Sequence, residues 1–203
     1  MGNKKNQNNI RSSKQTELFD TRDSFADHSK QTNFVVQSRE EILEWKKKIN
    51  QYQQNILKNK DNSFLQKSII SDQENSKIRE INPFILASNS INFWRSKKLI
   101  SKSSAIYFVI DNTQDYQIIL YIGETFSADS RWKGVHDCKT YINNYKELLS
   151  GHNIKSHLDI RFFLDVPKEA RLRRKLEKQL IYLWFPPFNK ETRNKWSNTF
   201  TNI

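Results

Sequence analysis

The stretch AIYFVIDNTQDYQIILYIGETFSADSRWKG, residues 105–134, decides how the chain is read. AIYFVID and YQIILYIG are short runs of β-branched and aromatic residues, separated by the polar Asn112-Thr113-Gln114-Asp115. That pattern predicts two strands joined by a turn. Each strand carries a tyrosine, Tyr107 and Tyr121; the second stops at Gly123, and Arg131 follows ten positions after Tyr121. Downstream, DSRWKGVHDCKTYINNYKELL (129–149) reads as a helix with Gly134 as a weak point, and HLDIRFFLD (157–165) as a third strand. VPKEARLRRKLEKQLIYLWF (166–185) reads as a second helix, with Pro167 at its start and Asp165 near its cap. Leu172, Leu176, Leu180 and Leu183 mark its expected buried side, and Pro186-Pro187 ends it. The order β-β-α-β-α predicts an α+β domain: a small antiparallel or mixed three-stranded sheet flanked by helices.

Upstream, Ser38 followed three residues later by Glu41 forms a capping box that opens a helix. Ile42, Trp45, Ile49, Tyr52 and Ile56, spaced 3, 4, 3 and 4 apart, give that helix one apolar stripe. The stripe spans about two heptads, long enough for a short coiled coil; docking on the chain's own core is the expectation. Residues 60–100 predict irregular structure or a short strand, interrupted by Pro83. Residues 1–36 are rich in Asn, Gln, Lys and Ser without sustained period and predict a polar, basic tail. The expected organisation is therefore a tail (1–36), a helical and irregular N-terminal extension (37–100) and a main domain (101–203).

Thirty-four Lys and Arg against 22 Asp and Glu leave a formal charge of +12, which favours a polyanionic partner such as nucleic acid. The abundance of Lys, Asn and Ile with few Gly also suits an AT-rich coding sequence, so charge alone does not decide. One cysteine excludes an internal disulfide and a four-cysteine zinc site. His136 and Cys138, two apart, point to different faces of a helix and make a poor zinc pair. There is no phosphate-cradling glycine-rich loop for nucleotide hydrolysis. No apolar run approaches the roughly 20 residues that cross a bilayer, and the first residues lack a secretory core. The expectation is a soluble, cytoplasmic protein with no membrane partner.

Ala105-Ile106-Tyr107 and Tyr121-Ile122-Gly123 resemble the two strands that define the GIY-YIG endonuclease superfamily, here in the manner of its stand-alone bacterial members. Arg131 stands where that family keeps its helix arginine, and Glu177 where it keeps a metal-binding glutamate. Asn189 lies twelve residues beyond Glu177, where the family often places an asparagine. The likeness covers residues 104–190. It implies a metal-dependent endonuclease that hydrolyses DNA phosphodiesters by a one-metal mechanism. Glu177 would hold one Mg²⁺ or Mn²⁺, a hard ion that prefers oxygen ligands and keeps several waters. Arg131 would offer the phosphate a planar, permanently charged donor fork. Tyr107 and Tyr121 would place the attacking water and help deprotonate it, while Gly123 and Asn189 would shape the site. The pattern departs from the family four residues after the arginine, where His or Tyr is common: here Val135 occupies that position and His136 follows. A helical step of about 100° swings His136 away, unless Gly134 distorts the turn, so His136 as proton acceptor and His136 as a surface residue both stand open.

Lys133, Lys139, Arg171, Arg173, Arg174, Lys175 and Lys178 flank the proposed centre as phosphate contacts. KEARLRRKLEKQ (168–179) carries six basic residues against two acidic ones, a balance that suits a polyanion or a solvated face. Trp132 suits either base stacking or core packing. A double-strand cut implies a homodimer or successive nicks. The alternative function is a catalytically weak or inactive nucleic-acid-binding protein that retains the same fold.

Overall fold

A computed structural model of the chain describes residues 38–58, 78–92, 103–127 and 137–196. Segment 1–36, Arg131, Lys133 and His136, together with Trp132, Gly134 and Val135, lie outside the described residues. In chain order the elements are α1 (Arg39–Lys58), β1 (Ser88–Ser90), β2 (Ala105–Asn112), β3 (Gln117–Thr125), α2 (Asp137–Gly151), β4 (Leu158–Phe163) and α3 (Ala170–Trp184). Short 3-10 turns occupy Pro83–Ile85 and Arg193–Trp196. The four strands form one antiparallel sheet in the order β1-β4-β2-β3. Among the described residues the fold is α+β, with one strand more than the three expected.

The extra strand is Ser88-Asn89-Ser90, inside the stretch where the sequence predicts irregular structure or a short strand, and it falls on the polar residues between two apolar runs. Polar clamps hold it. Ser88 Oγ donates to Asp159 Oδ2 at 2.9 Å, and Asn89 Nδ2 donates to the Ile160 carbonyl at 3.3 Å. Arg161 on β4 is buried, bonds both oxygens of Asp159, and donates to the carbonyls of Pro83 and Phe84. One buried ion pair on β4 thus secures the segment preceding β1.

β2 is central and is buried from Ala105 through Asp111, which explains its unbroken apolar run: a strand covered on both faces gains nothing from alternation. Ile106, Phe108 and Ile110 pack with Leu180, Ile181, Leu183 and Trp184 of α3. Ala105, Tyr107 and Val109 pack on the other side with Cys138 and Ile142 of α2. The expected buried side of α3 needs correction at its first turn: Leu172 is 47% exposed, whereas Arg173 is 2% exposed. The start of the helix differs too. It begins at Ala170 behind Glu169, which makes no side-chain cap bond, so Pro167 and Asp165 fall in the link from β4. The Arg173 guanidinium explains both differences, because Nη1 reaches back to the Pro167 and Lys168 carbonyls at 3.2 and 3.1 Å. Phe185, at φ 46°, closes the helix in the left-handed region ahead of the two prolines.

α1 begins with the reciprocal bonds of a capping box: Ser38 N–H to Glu41 Oε2 at 2.7 Å and Glu41 N–H to Ser38 Oγ at 3.2 Å. Its buried residues are Ile42, Lys46, Ile49 and Gln53, so two polar side chains share the inward stripe with the isoleucines. The stripe docks on the chain's own core, against Ile118 and Leu120 of β3 and Tyr145 of α2.

β3 is an edge strand, and its outer edge is closed by side chains. The Gln117 N–H donates to Asn50 Oδ1. Gln53 accepts from the Ile119 N–H at 2.8 Å and donates to the Ile119 carbonyl at 3.1 Å. The Leu120 carbonyl, at a register shift opposite Val109/Ile110, accepts from the Phe188 N–H at 3.0 Å. Carboxamides here replace the neighbouring strand that an exposed edge would otherwise recruit.

Candidate active site

β2 and β3 are paired antiparallel. Ala105 faces Thr125, Tyr107 faces Gly123, and Val109 faces Tyr121. Tyr107 lies over Gly123: a Cβ added there would sit 2.8 Å from Tyr107 Cε1 and closer still to Cζ and the phenol oxygen. The glycine is therefore required for space, to let a tyrosine ring lie flat on the neighbouring strand. Tyr121 stacks on Tyr107 with ring centroids 6.0 Å apart and 27° between planes. Tyr107 is fully buried and Tyr121 half-buried. Ala105 is buried as well.

Two side chains from beyond β4 fasten to the same part of β3. Asn189 accepts from the Ile122 N–H at 2.9 Å and donates to the Ile122 carbonyl at 2.8 Å, gripping the middle residue of Tyr121-Ile122-Gly123. Glu177, half-buried on α3, accepts from the Glu124 N–H through Oε1 at 3.0 Å, one residue past Gly123. The tyrosines come from the sheet face that α2 covers, and Glu177 from the helix on the other face. Both meet β3 within residues 121–124.

Glu177 lines a cleft of about 310 Å³ with Glu124, Thr125, Phe126 and Arg174. Glu124 is held by arginines: Arg173 Nε lies 2.7 Å from Oε2 and Arg174 Nε 3.6 Å from Oε1. This corrects the expectation that Arg173 contacts nucleic acid. Its guanidinium is buried against one carboxylate and two carbonyls, leaving no surface for a phosphate. Arg171, Arg174, Lys175 and Lys178 are exposed on α3, and Lys139 is half-buried on α2.

Among the described residues no group of three or more His, Cys, Asp or Glu is placed to hold a metal ion. A caged zinc-type site is therefore not built from them. Glu177 fits a different demand: a hard divalent ion that retains several waters needs one or two carboxylates, and Glu177 is a carboxylate oriented by a backbone N–H in an open cleft.

Three neighbours of Glu177 escaped the sequence reading: Glu124, Thr125 and Phe126. Glu124 and Thr125 directly follow Gly123, so their placement was available from strand continuation. Their pairing with α3 was not. A second cleft, about 750 Å³, lies at the far end of β2, between the Asn112–Tyr116 turn, the Asn153–His157 loop and α1. Beneath it is a buried polar cluster in which Asp111 accepts from Lys46 Nζ at 3.0 Å, Tyr145 Oη at 2.6 Å and the His157 N–H at 2.9 Å. Burial, followed by the Asp111 charge and hydrogen bond, pushes the Tyr145 phenol well above its ordinary value.

No helix among the described residues is long and apolar enough to cross a membrane. No protein-family model, curated protein or solved structure matches the chain significantly.

Proposed function

We propose that the chain is a metal-dependent DNA endonuclease of the GIY-YIG type, acting in the cytoplasm. The observation that carries this reading is the bond between Glu177 and the Glu124 N–H, which spans 53 residues. It ties the one acidic group the resemblance requires on α3 to the strand that bears Tyr121 and Gly123. Tyr107 lying over Gly123, with Tyr121 stacked on Tyr107, supports it.

Glu177 would hold Mg²⁺ or Mn²⁺, which when bound supplies Lewis-acid stabilisation of the leaving oxygen. Tyr121, the less buried of the two tyrosines, orients the attacking water. Tyr107 behind it, acting as its phenolate favoured by the Arg131 charge, takes the water proton and becomes the neutral phenol. The water oxygen forms a bond to phosphorus as the bond to the leaving oxygen breaks, and the leaving oxygen takes a proton from solvent. Arg131 carries the charge that builds on the non-bridging oxygens; by analogy with oxyanion donors, its loss lowers the rate on the order of 10²–10³-fold. Exposed Arg171, Arg174, Lys175 and Lys178 neutralise flanking phosphates. One centre per chain cuts one strand, so a double-strand break uses a homodimer or two nicks.

The full burial of Tyr107 favours a second reading, in which the fold is kept for DNA binding with little turnover. Supercoiled plasmid incubated with Mg²⁺ or Mn²⁺ separates the two. Nicking by the wild type and not by Glu177→Gln is expected. Equal nicking by both proteins removes Glu177 from the mechanism, and a mobility shift without nicking in either metal establishes the binder.

A further inference from the structure

Phe126 is the most exposed aromatic among the described residues, at 75%, yet it lines the Glu177 cleft. Its backbone is not loose. Thr125, itself buried, donates through Oγ1 to the Ser127 carbonyl at 2.8 Å and accepts from the Ser127 N–H at 3.1 Å, closing a tight turn around Phe126. Ser104 Oγ donates to the Phe126 carbonyl at 3.4 Å, linking the turn to the start of β2. A chain that fixes the backbone of a phenylalanine and leaves its ring in water forgoes the ordinary gain of burying it. Arg174, whose side chain is also exposed, lines the same small cleft as Phe126 and Glu177. A ring with an open π-face, a cation and a carboxylate therefore border one opening.

We propose that Phe126 is a specificity-determining residue that stacks an unpaired nucleobase next to the phosphate being cut, while Arg174 pairs with the adjoining phosphate. The inference rests on the endonuclease reading and names its substrate: DNA with a locally unpaired strand, such as a gap, flap or bulge. Within an intact duplex both faces of every base are covered by neighbouring pairs, so an exposed ring gains nothing there. In an unpaired segment a base is free to lie on it, a sequence-tolerant contact.

The test uses the full chain with Glu177→Gln, which keeps an acceptor for the Glu124 N–H and prevents cutting. Fluorescence anisotropy measures its affinity for a labelled duplex and for the same sequence carrying a short single-stranded gap. The gapped DNA is expected to bind about tenfold tighter. Phe126→Ala and Phe126→Leu in that background are expected to bring the ratio to about one, and Phe126→Trp to restore it. Leucine keeps apolar area without a π-face, so a preference retained by Phe126→Leu overturns stacking. An equal loss on both DNAs in Phe126→Ala overturns it too, by showing a contact indifferent to pairing. Absence of salt-dependent binding to either DNA overturns the endonuclease reading itself, a result distinct from binding without preference. Circular dichroism and the melting temperature are expected to stay constant across the Phe126 variants, since three-quarters of the residue's surface is exposed.

Discussion

The contact between Tyr107 and Gly123 makes one residue's identity a condition for another's position. Alanine at 123 puts a methyl into the Tyr107 ring, and the ring has little room to retreat because Phe162 and Tyr121 lie beside it. Gly123→Ala is therefore expected to cost about 1–3 kcal/mol, as overpacking does, and to reduce nicking more than stability alone accounts for. Urea unfolding with a parallel plasmid assay checks both. Asn189 is the converse case, a polar side chain needed for what it satisfies. Its removal in Asn189→Ala strands the Ile122 N–H and carbonyl in the interior, for about 1–3 kcal/mol per group. Urea denaturation is expected to show a midpoint shift without a change of slope. Glycine and asparagine were both visible as motif letters. Their physical duties, space for a ring and a grip on Ile122, depend on which strand and loop lie opposite and had no trace in the local pattern.

α1 illustrates how far periodicity reaches within an element. The Ser38–Glu41 box and the isoleucine stripe fixed its start and its inward side, because both arise from helical geometry alone. Lys46 and Gln53 share that side, although a lysine within Lys46-Lys47-Lys48 reads as solvated. Only the end of β2 supplies Asp111 as its partner, 65 residues away. A buried charge left without its partner costs about 3–5 kcal/mol, so Lys46→Met is expected to destabilise by that order. Lys46→Met with Asp111→Asn is expected to recover most of the loss, because asparagine still accepts from the His157 N–H and carries no charge. A double-mutant cycle in urea measures the coupling. In α3 a similar exchange occurred: Arg173 took an inward place that the leucine spacing assigned to Leu172. Its partners, Glu124 and two carbonyls of the preceding link, lie outside the helix and so outside its period.

For the molecule as a whole, two conditions report on the arrangement. Burial pushes the Tyr52 phenol from 10.0 up to about 12, and Tyr145 moves in the same direction. Below pH 10 the phenols are protonated in both folded and unfolded chains, and their contribution to stability is complete. Between pH 10 and 12 the unfolded chain releases these protons and the folded chain does not, so stability falls as pH rises. The melting temperature is expected to drop across that window, less steeply in Tyr52→Phe. Ionic strength tests the formal charge of +12. If the basic face of α3 meets phosphates, the Glu177→Gln protein's affinity for duplex DNA falls linearly in log K against log salt. A flat plot removes DNA as the partner.

The sequence by itself determined the hairpin, the β-β-α-β-α order, the opening of α1 and the stop of α3. These are local matters: alternation, helical spacing, capping residues and prolines act over a few positions. Tertiary structure alone decided that Ser88–Ser90 is where the short strand within residues 60–100 forms, that Lys46 and Arg173 are buried, and that carboxamides close the β3 edge. It also brought Glu177 and Phe126 to one cleft. The physical reason is that a polar group's fate depends on its partner, and these partners lie far along the chain, where no local period carries their signal.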